Sequence, residues 1–212
     1  MEKQFIQIQI GLFFKNDFQG EIESASLAIK KEFGSNINPQ IIGIPNNAPS
    51  EIPRLVINSE LVNINLAKNR IDFFSPKENF IKENFEKISN LIKNLNLEIG
   101  RIGVVVTYFK EIKIENFKSI FNESKISDIK PKEITVRFNE EIELSSIKVN
   151  NSQMYTTGSL KNKDGIQKNG VIINRDINTL VEDIAKNSFK SKEDIKKFID
   201  EAIKKAETII SF

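Results

Sequence analysis

The amino-acid sequence predicts an α+β fold, a mainly antiparallel curved sheet with helices on one face. Three observations carry that expectation: apolar residues alternate with period two in many short segments, several of those segments are separated by intervals only a hairpin can bridge, and three longer segments carry helical stripes. Taking the elements in order, Ile6, Ile8, Ile10 and Leu12 alternate with Gln7, Gln9 and Gly11, a half-buried strand ending near Phe14. Residues 21–33 place Ile22, Ala25, Ser26, Ile29 and Phe33 on one helical face, and Gly34 stands where a helix stop favours positive φ. Ile41, Ile42 and Ile44 form a short strand before a loop broken by Pro49 and Pro53. Strands over 54–58, 61–66 and 70–74 follow, close enough in sequence to pair as antiparallel hairpins. Ser75-Pro76-Lys77-Glu78 reads as a capped helix start, the stripe of Phe80, Ile81, Phe85, Ile88, Leu91, Ile92 and Leu95 continues it, and Gly100 lies just past its end.

From Arg101 the order begins again. Ile102, Val104, Val106 and Tyr108 define a strand that is also apolar at Val105 and Phe109, as a central strand should be. A short helix over 116–122 comes next, then strands over 133–139 and 141–149 joined by a turn at Asn139-Glu140, with Ser145-Ser146 as a β-bulge and a continuation through Met154 to Thr157. Lys161 to Gly165 is a turn and 170–177 the returning strand. Thr179 with Glu182 suggests a short capped helix, and Ser191 with Asp194 starts a longer one whose apolar stripe runs to Ile210. Each half thus reads strand, helix, antiparallel strands, helix: a single compact unit over 1–212 with pseudo-repeat halves 1–100 and 101–212.

Composition excludes more than it assigns. A chain of 212 residues with 39% hydrophobic content can bury one substantial core, and 31 Lys and Arg against 29 Asp and Glu leave +2, too balanced to imply a polyanionic partner on bulk charge. With no cysteine there is no disulfide, thiolate nucleophile or Cys metal site, and with no histidine there is no Ser-His-Asp chemistry or His-metal centre. The N-terminus lacks a continuous apolar h-region and no stretch approaches the roughly 20 apolar residues of a membrane span, so a cytoplasmic protein is expected, with no membrane partner.

Pro53-Arg54-Leu55, Arg70-Ile71-Asp72-Phe73, the helix from Phe80 to Leu95, Arg101-Ile102-Gly103 with Tyr108, and the Asp176 strand followed by a long C-terminal helix together resemble a sporadically distributed bacterial family of uncharacterised proteins. The chain departs from that pattern at Phe109, where the family tends to have Asn. The resemblance implies no activity; its patchy distribution implies a link to mobile-element, phage or defence loci, where small partner-binding proteins are common.

Asp72, Asp176 and Asp183 lie near apolar elements and are the carboxylates available for acid-base or metal chemistry, but they form no spaced motif. The hydroxyl run Tyr155 to Ser159 lacks the glycine spacing and Gly-Lys-Ser/Thr ending of a P-loop. No catalytic, cofactor-binding or metal-ligating residue is therefore assigned, and no cofactor is expected. Phe13, Phe18 and Phe74 fall out of phase or beside loops and, with Asn46 and Asn47 of the Pro-rich loop, make up the expected interface. The function these features suggest is a non-enzymatic binding or interaction module whose partner is a protein or a second copy of the chain. The alternatives are a small-ligand binder or His-independent enzyme with a cavity between sheet and helices, and nucleic-acid binding by a curved sheet.

Overall fold

The computed structural model of the chain describes residues 3–34, 37–45, 47–113, 133–161, 165–183 and 189–208. The strands are β1 (Gln4–Phe14), β2 (Asn38–Ile41), β3 (Leu55–Asn58), β4 (Asn63–Leu66), β5 (Arg70–Ser75), β6 (Ile99–Glu111), β7 (Thr135–Leu144), β8 (Ile147–Lys161) and β9 (Gln167–Thr179). The helices are α1 (Ile22–Phe33), α2 (Phe80–Asn94) and α3 (Lys192–Glu207). The nine strands form one sheet in the order β2-β3-β4-β5-β1-β6-β9-β8-β7, with every neighbouring pair antiparallel. The fold is α+β, as expected. Outward from the central β1–β6 pair, β5-β4-β3 on one side mirror β9-β8-β7 on the other.

Strand alternation divides the sheet into two faces. Ile10, Phe73, Val104 and Ile177 are cross-strand neighbours on one face, and all are buried in a single core cluster with Ala25 and Ile29 of α1, Phe85 and Ile88 of α2, and Phe198 and Ala202 of α3. The helices therefore cover this face, which burial of so many aliphatic groups stabilises at about 25 cal/mol per Å² of apolar area removed from water. The middle of this core is closed, with Leu12, Ile29, Val104, Ile173 and Phe198 all 0% exposed.

The C-terminal helix carries an unusual partner in this core. Arg175, on β9, is 1% exposed; its Nη1 donates to the Thr208 carbonyl, and Nη2 donates to Asn151 Oδ1 at 3.1 Å and to the Lys205 carbonyl at 3.4 Å. The guanidinium thus satisfies carbonyls at the C-terminus of α3, where the helix dipole also favours a cation. Tyr108, buried in the same core, has its phenol pushed up to about 12 by burial and by the nearby Glu207 and Glu78 carboxylates, so it remains protonated.

Several local expectations are corrected. Ser75 does not cap α2: it is the last residue of β5, paired with Ile8, and its hydroxyl donates to the Leu61 carbonyl and accepts from Lys77 N–H, so the helix begins only at Phe80. Gly100 does not end α2 but lies inside β6; the stop is made by Asn96 at φ 50°, with Asn96 N–H to the Lys93 carbonyl and Leu97 N–H to the Ile92 carbonyl. The strand expected at Ile41, Ile42 and Ile44 is shifted to Asn38–Ile41, because β3 offers pairing positions only for Asn38 to Ile41. Asn139 and Glu140 make no turn: they pair with Ser152 and Asn151 inside β7, and Ser145-Ser146, at φ 49° and 62°, is the two-residue hairpin turn rather than a bulge. Glu201 of α3 holds that turn, accepting from Ser145 N–H and Oγ at 2.8 Å each. Thr179 is not a cap; its hydroxyl bonds across to Ile102, and only a 3-10 turn, Val181–Asp183, follows. The expected Ser191–Asp194 capping box is present at α3. The helix expected over 116–122 and the end of the α3 stripe at Ile209 and Ile210 lie outside the described residues.

Candidate binding site on the open sheet face

The second face of the sheet mixes polar groups with Phe13, Phe74, Val105 and the buried Phe109, and among the described residues no helix packs on it. Its centre is built from cross-strand rows. Arg70 of β5, Phe13 of β1 and Arg101 of β6 stand directly opposite one another. The next row is Asp72, Gly11, Gly103, Asn178 and Asn150, and the one after it Phe74, Gln9, Val105, Asp176 and Ser152.

The Phe13 ring lies between two guanidiniums, 5.6 Å from Arg70 Cζ and 4.5 Å from Arg101 Cζ. Stacking of this kind contributes about 0.5–1 kcal/mol per pair at a partly exposed position. The two central glycines make it possible. A Cβ on Gly11 would sit 2.9 Å from Asp72 Oδ1 and 3.2 Å from Phe13 Cε2, and one on Gly103 would collide with Asn178 Oδ1. Their absence of side chains lets Phe13, Asp72 and Asn178 fold down across the sheet.

Arg101 is held at two points: Nε donates to the Thr179 carbonyl at 2.9 Å while Cζ lies over the Phe13 ring. Its two terminal nitrogens have no hydrogen-bond partner among the described residues. Arg70 Nε lies 3.0 Å from Asp72 Oδ2 but off the hydrogen-bonding axis, so charge rather than a directed bond holds that pair. Asp176 accepts from Asn178 Nδ2, and Gln9 Nε2 approaches Asp72 Oδ1 at 3.5 Å.

Both carboxylates are electrostatically costly. Burial raises Asp72 above the ordinary carboxylate value, opposed by Arg70 and Gln9; burial raises Asp176 likewise, opposed by Asn178, Arg101 and Arg137. Burial also pulls Arg101 down, against the attraction of Asp176 and with the repulsion of Arg70. A carboxylate whose folded-state value is raised holds its proton to higher pH than in the unfolded chain, so stability falls as pH rises from the ordinary value of 3.8 through the raised one. Asp176→Asn removes that loss while keeping an acceptor for Asn178. It is expected to leave stability at pH 7 equal to or above that of the unchanged chain and to flatten the decline above about pH 4, as read from urea midpoints across the range.

Of the residues expected at an interface, Phe13 and Phe74 do share this face, both half-buried, with Phe13 covered by guanidiniums rather than by apolar groups. Phe18 packs against the core. Asn47 is exposed in the loop between β2 and β3, which is tied down where Ser50 O accepts from Lys68 N–H at 2.9 Å and Ser50 Oγ donates to Asp17 Oδ2 at 3.0 Å. Asn46 lies outside the described residues. Asp72 and Asp176 share the open face but are separated by β1 and β6, each beside its own arginine; the side chain of Asp183 is outside the described residues. Among the described residues, no group of three or more His, Cys, Asp or Glu could hold a metal ion, and no helix is long and apolar enough to cross a membrane. The hydroxyl run from Tyr155 to Ser159 is ordinary strand within β8. Arg70 and Arg101 are the site residues that sequence reasoning passed over: Arg70 opens β5 and Arg101 is the third residue of β6, but only long-range pairing sets each opposite Phe13. Neither family models nor curated proteins match the chain, so the geometry is the ground for a functional reading.

Proposed function

We propose that this chain is a non-catalytic binding protein that docks another protein on the open face of its sheet, with the Arg70–Phe13–Arg101 row as the centre of contact. The observation that carries this reading is the state of Arg101, oriented by a backbone carbonyl and an aromatic ring with its terminal fork left unpartnered. A guanidinium held this way is preorganised for a carboxylate, which it takes bidentately. Phe74 and Val105 nearby supply apolar contact around that polar centre, the mixture typical of a protein interface.

Two considerations favour a different protein over the other partners. A polyanion needs a run of surplus positive charge, whereas Arg70, Arg101 and Arg137 on this face are offset by Asp72 and Asp176, leaving little net charge. Self-pairing through the long edge strand β7 is opposed by Glu140, Glu141 and Glu143, which would repel the same residues of a second copy. We also propose that the mirrored strand order reflects an internal duplication; the contact row then straddles the seam between the halves, since Phe13 is on β1 and Arg101 on β6. Ligands favour such junctions.

The experiment is affinity retention from a bacterial lysate by the immobilised chain and by its Phe13→Ala and Arg101→Ala variants. Both variants are expected to stay folded by circular dichroism and to lose at least about 90% of a specifically retained partner, equivalent to about 1.4 kcal/mol. Equal retention by all three would refute the proposed contact row.

A further inference from the structure

A cavity unrelated to the open face lies on the helical side. The C-terminal half of α2 and the start of α3 stand apart, and between them opens a cavity of about 530 Å³, within the range of small-molecule sites. Its apolar lining is formed by Phe85 and Ile92 of α2, Ile99 of β6, Phe189 just before α3 and Ile195 in the first turn of α3. Its rim is basic: Lys15, Lys93, Lys190 and Lys192 line it, with Glu98 as the one carboxylate among the lining residues.

The lysines are not spent on one another's neighbours. Lys192 Nζ reaches Glu86 at 3.3 Å, bridging the two helices, while Lys15, Lys93 and Lys190 have no ion-pair partner among the described residues. Ile92 and Phe189 are the partly exposed apolar groups of this lining and Phe85, Ile99 and Ile195 are nearly buried, so a short apolar contact lies next to lysines that have no ion-pair partner among the described residues. A ligand with a hydrocarbon body and a single anionic head complements such a lining, its chain covering the apolar side chains and its head neutralising the lysines.

We infer that this cavity binds an amphipathic carboxylate, with an aliphatic tail against Phe85, Ile92 and Ile195 and its head among Lys15, Lys93 and Lys190. The inference is independent of the open-face reading, since no residue is shared. Decanoate is the probe, titrated into the full chain by calorimetry, with decanol as the uncharged counterpart. Saturable binding with one site and a Kd below about 1 mM is expected, at least tenfold weaker for decanol and for the double variant Lys15→Glu with Lys190→Glu.

Ile195→Trp, which fills the floor, is expected to abolish binding. Because Ile195 is nearly buried, Ser89→Trp, which enters the same cavity from the surface of α2, provides the blocking test if Ile195→Trp does not fold. Absence of saturable decanoate binding up to 5 mM, set as about five times the expected limit, would overturn the inference. So would decanol binding as tightly, or decanoate binding undiminished in the charge-reversed variant or in a folded cavity-filling one.

Discussion

Gly170→Ala is expected to destabilise the protein by about 3 kcal/mol although it adds a single methyl group. Gly170 pairs with Glu111 of β6 on one side and with Gly158 of β8 on the other. A Cβ there would overlap the Lys110 carbonyl oxygen, lie 3.0 Å from Glu111 Cα and press within 2.8 Å of the Phe109 ring. Two of those three atoms are backbone of the central strand, so no rotamer change relieves the clash; β6 and β9 must separate at that end. Gly43→Ala is the matched control, because nothing lies within 4 Å of its added methyl, and it is expected to change stability by no more than about 0.5 kcal/mol. Urea unfolding of the two variants measures the difference. Equal midpoints would mean that the β6–β9 register is not the one described.

Arg175→Ala is expected to cost about 3–4 kcal/mol, because each buried acceptor left without its donor costs about 1–3 kcal/mol. Removing the guanidinium strands the Thr208 carbonyl, the Asn151 side-chain oxygen and in part the Lys205 carbonyl, all at the junction of α3 with the sheet. It also empties a large volume next to Tyr155, which is 1% exposed. Arg175→Lys keeps the charge near the helix C-terminus but cannot span the same acceptors with a single ammonium, so it should fall between alanine and the unchanged chain. Thermal unfolding by circular dichroism gives the order. A neutral alanine variant would show that α3 is not anchored through Arg175.

Why some of this was legible beforehand and some was not follows from the range of the interactions. The hairpins β3–β4–β5 and the α3 capping box are decided by residues a few positions apart, and the sequence displays them directly. The stop of α2 is equally local, yet the residue free to adopt positive φ is Asn96 rather than the more obvious Gly100. Ser145-Ser146 failed to look like a hairpin turn because serine has little preference for that conformation; its hold comes from Glu201, 56 residues away. Ser75 carried every local mark of a helix cap, and pairing with Ile8 overrode them.

The open-face site was hidden for the same reason. Phe13 stood out because it broke the alternation of its strand, and Asp72 and Asp176 because they interrupted apolar runs. Arg70 and Arg101 looked like ordinary strand openings, since nothing local reveals that β5, β1 and β6 bring them to the two sides of one ring. The glycines that let the ring lie flat are likewise explained only by the neighbours across the strands. A buried and a half-buried carboxylate beside a fixed arginine are a standing cost in stability, and groups of that kind are commonly retained at working surfaces.

Location of the partner on the molecular surface tests that interpretation most directly. A photo-crosslinking residue placed at Gln9, on the open face between Phe74 and Val105, or at Leu27, 69% exposed on α1 on the helical side, would be irradiated in growing bacterial cells expressing the chain. The expected result is a discrete heterologous adduct from position 9, reduced at least tenfold when Arg101→Ala is combined with it, and none from position 27. An adduct from position 27 with none from position 9 would contradict a binding surface on the open sheet.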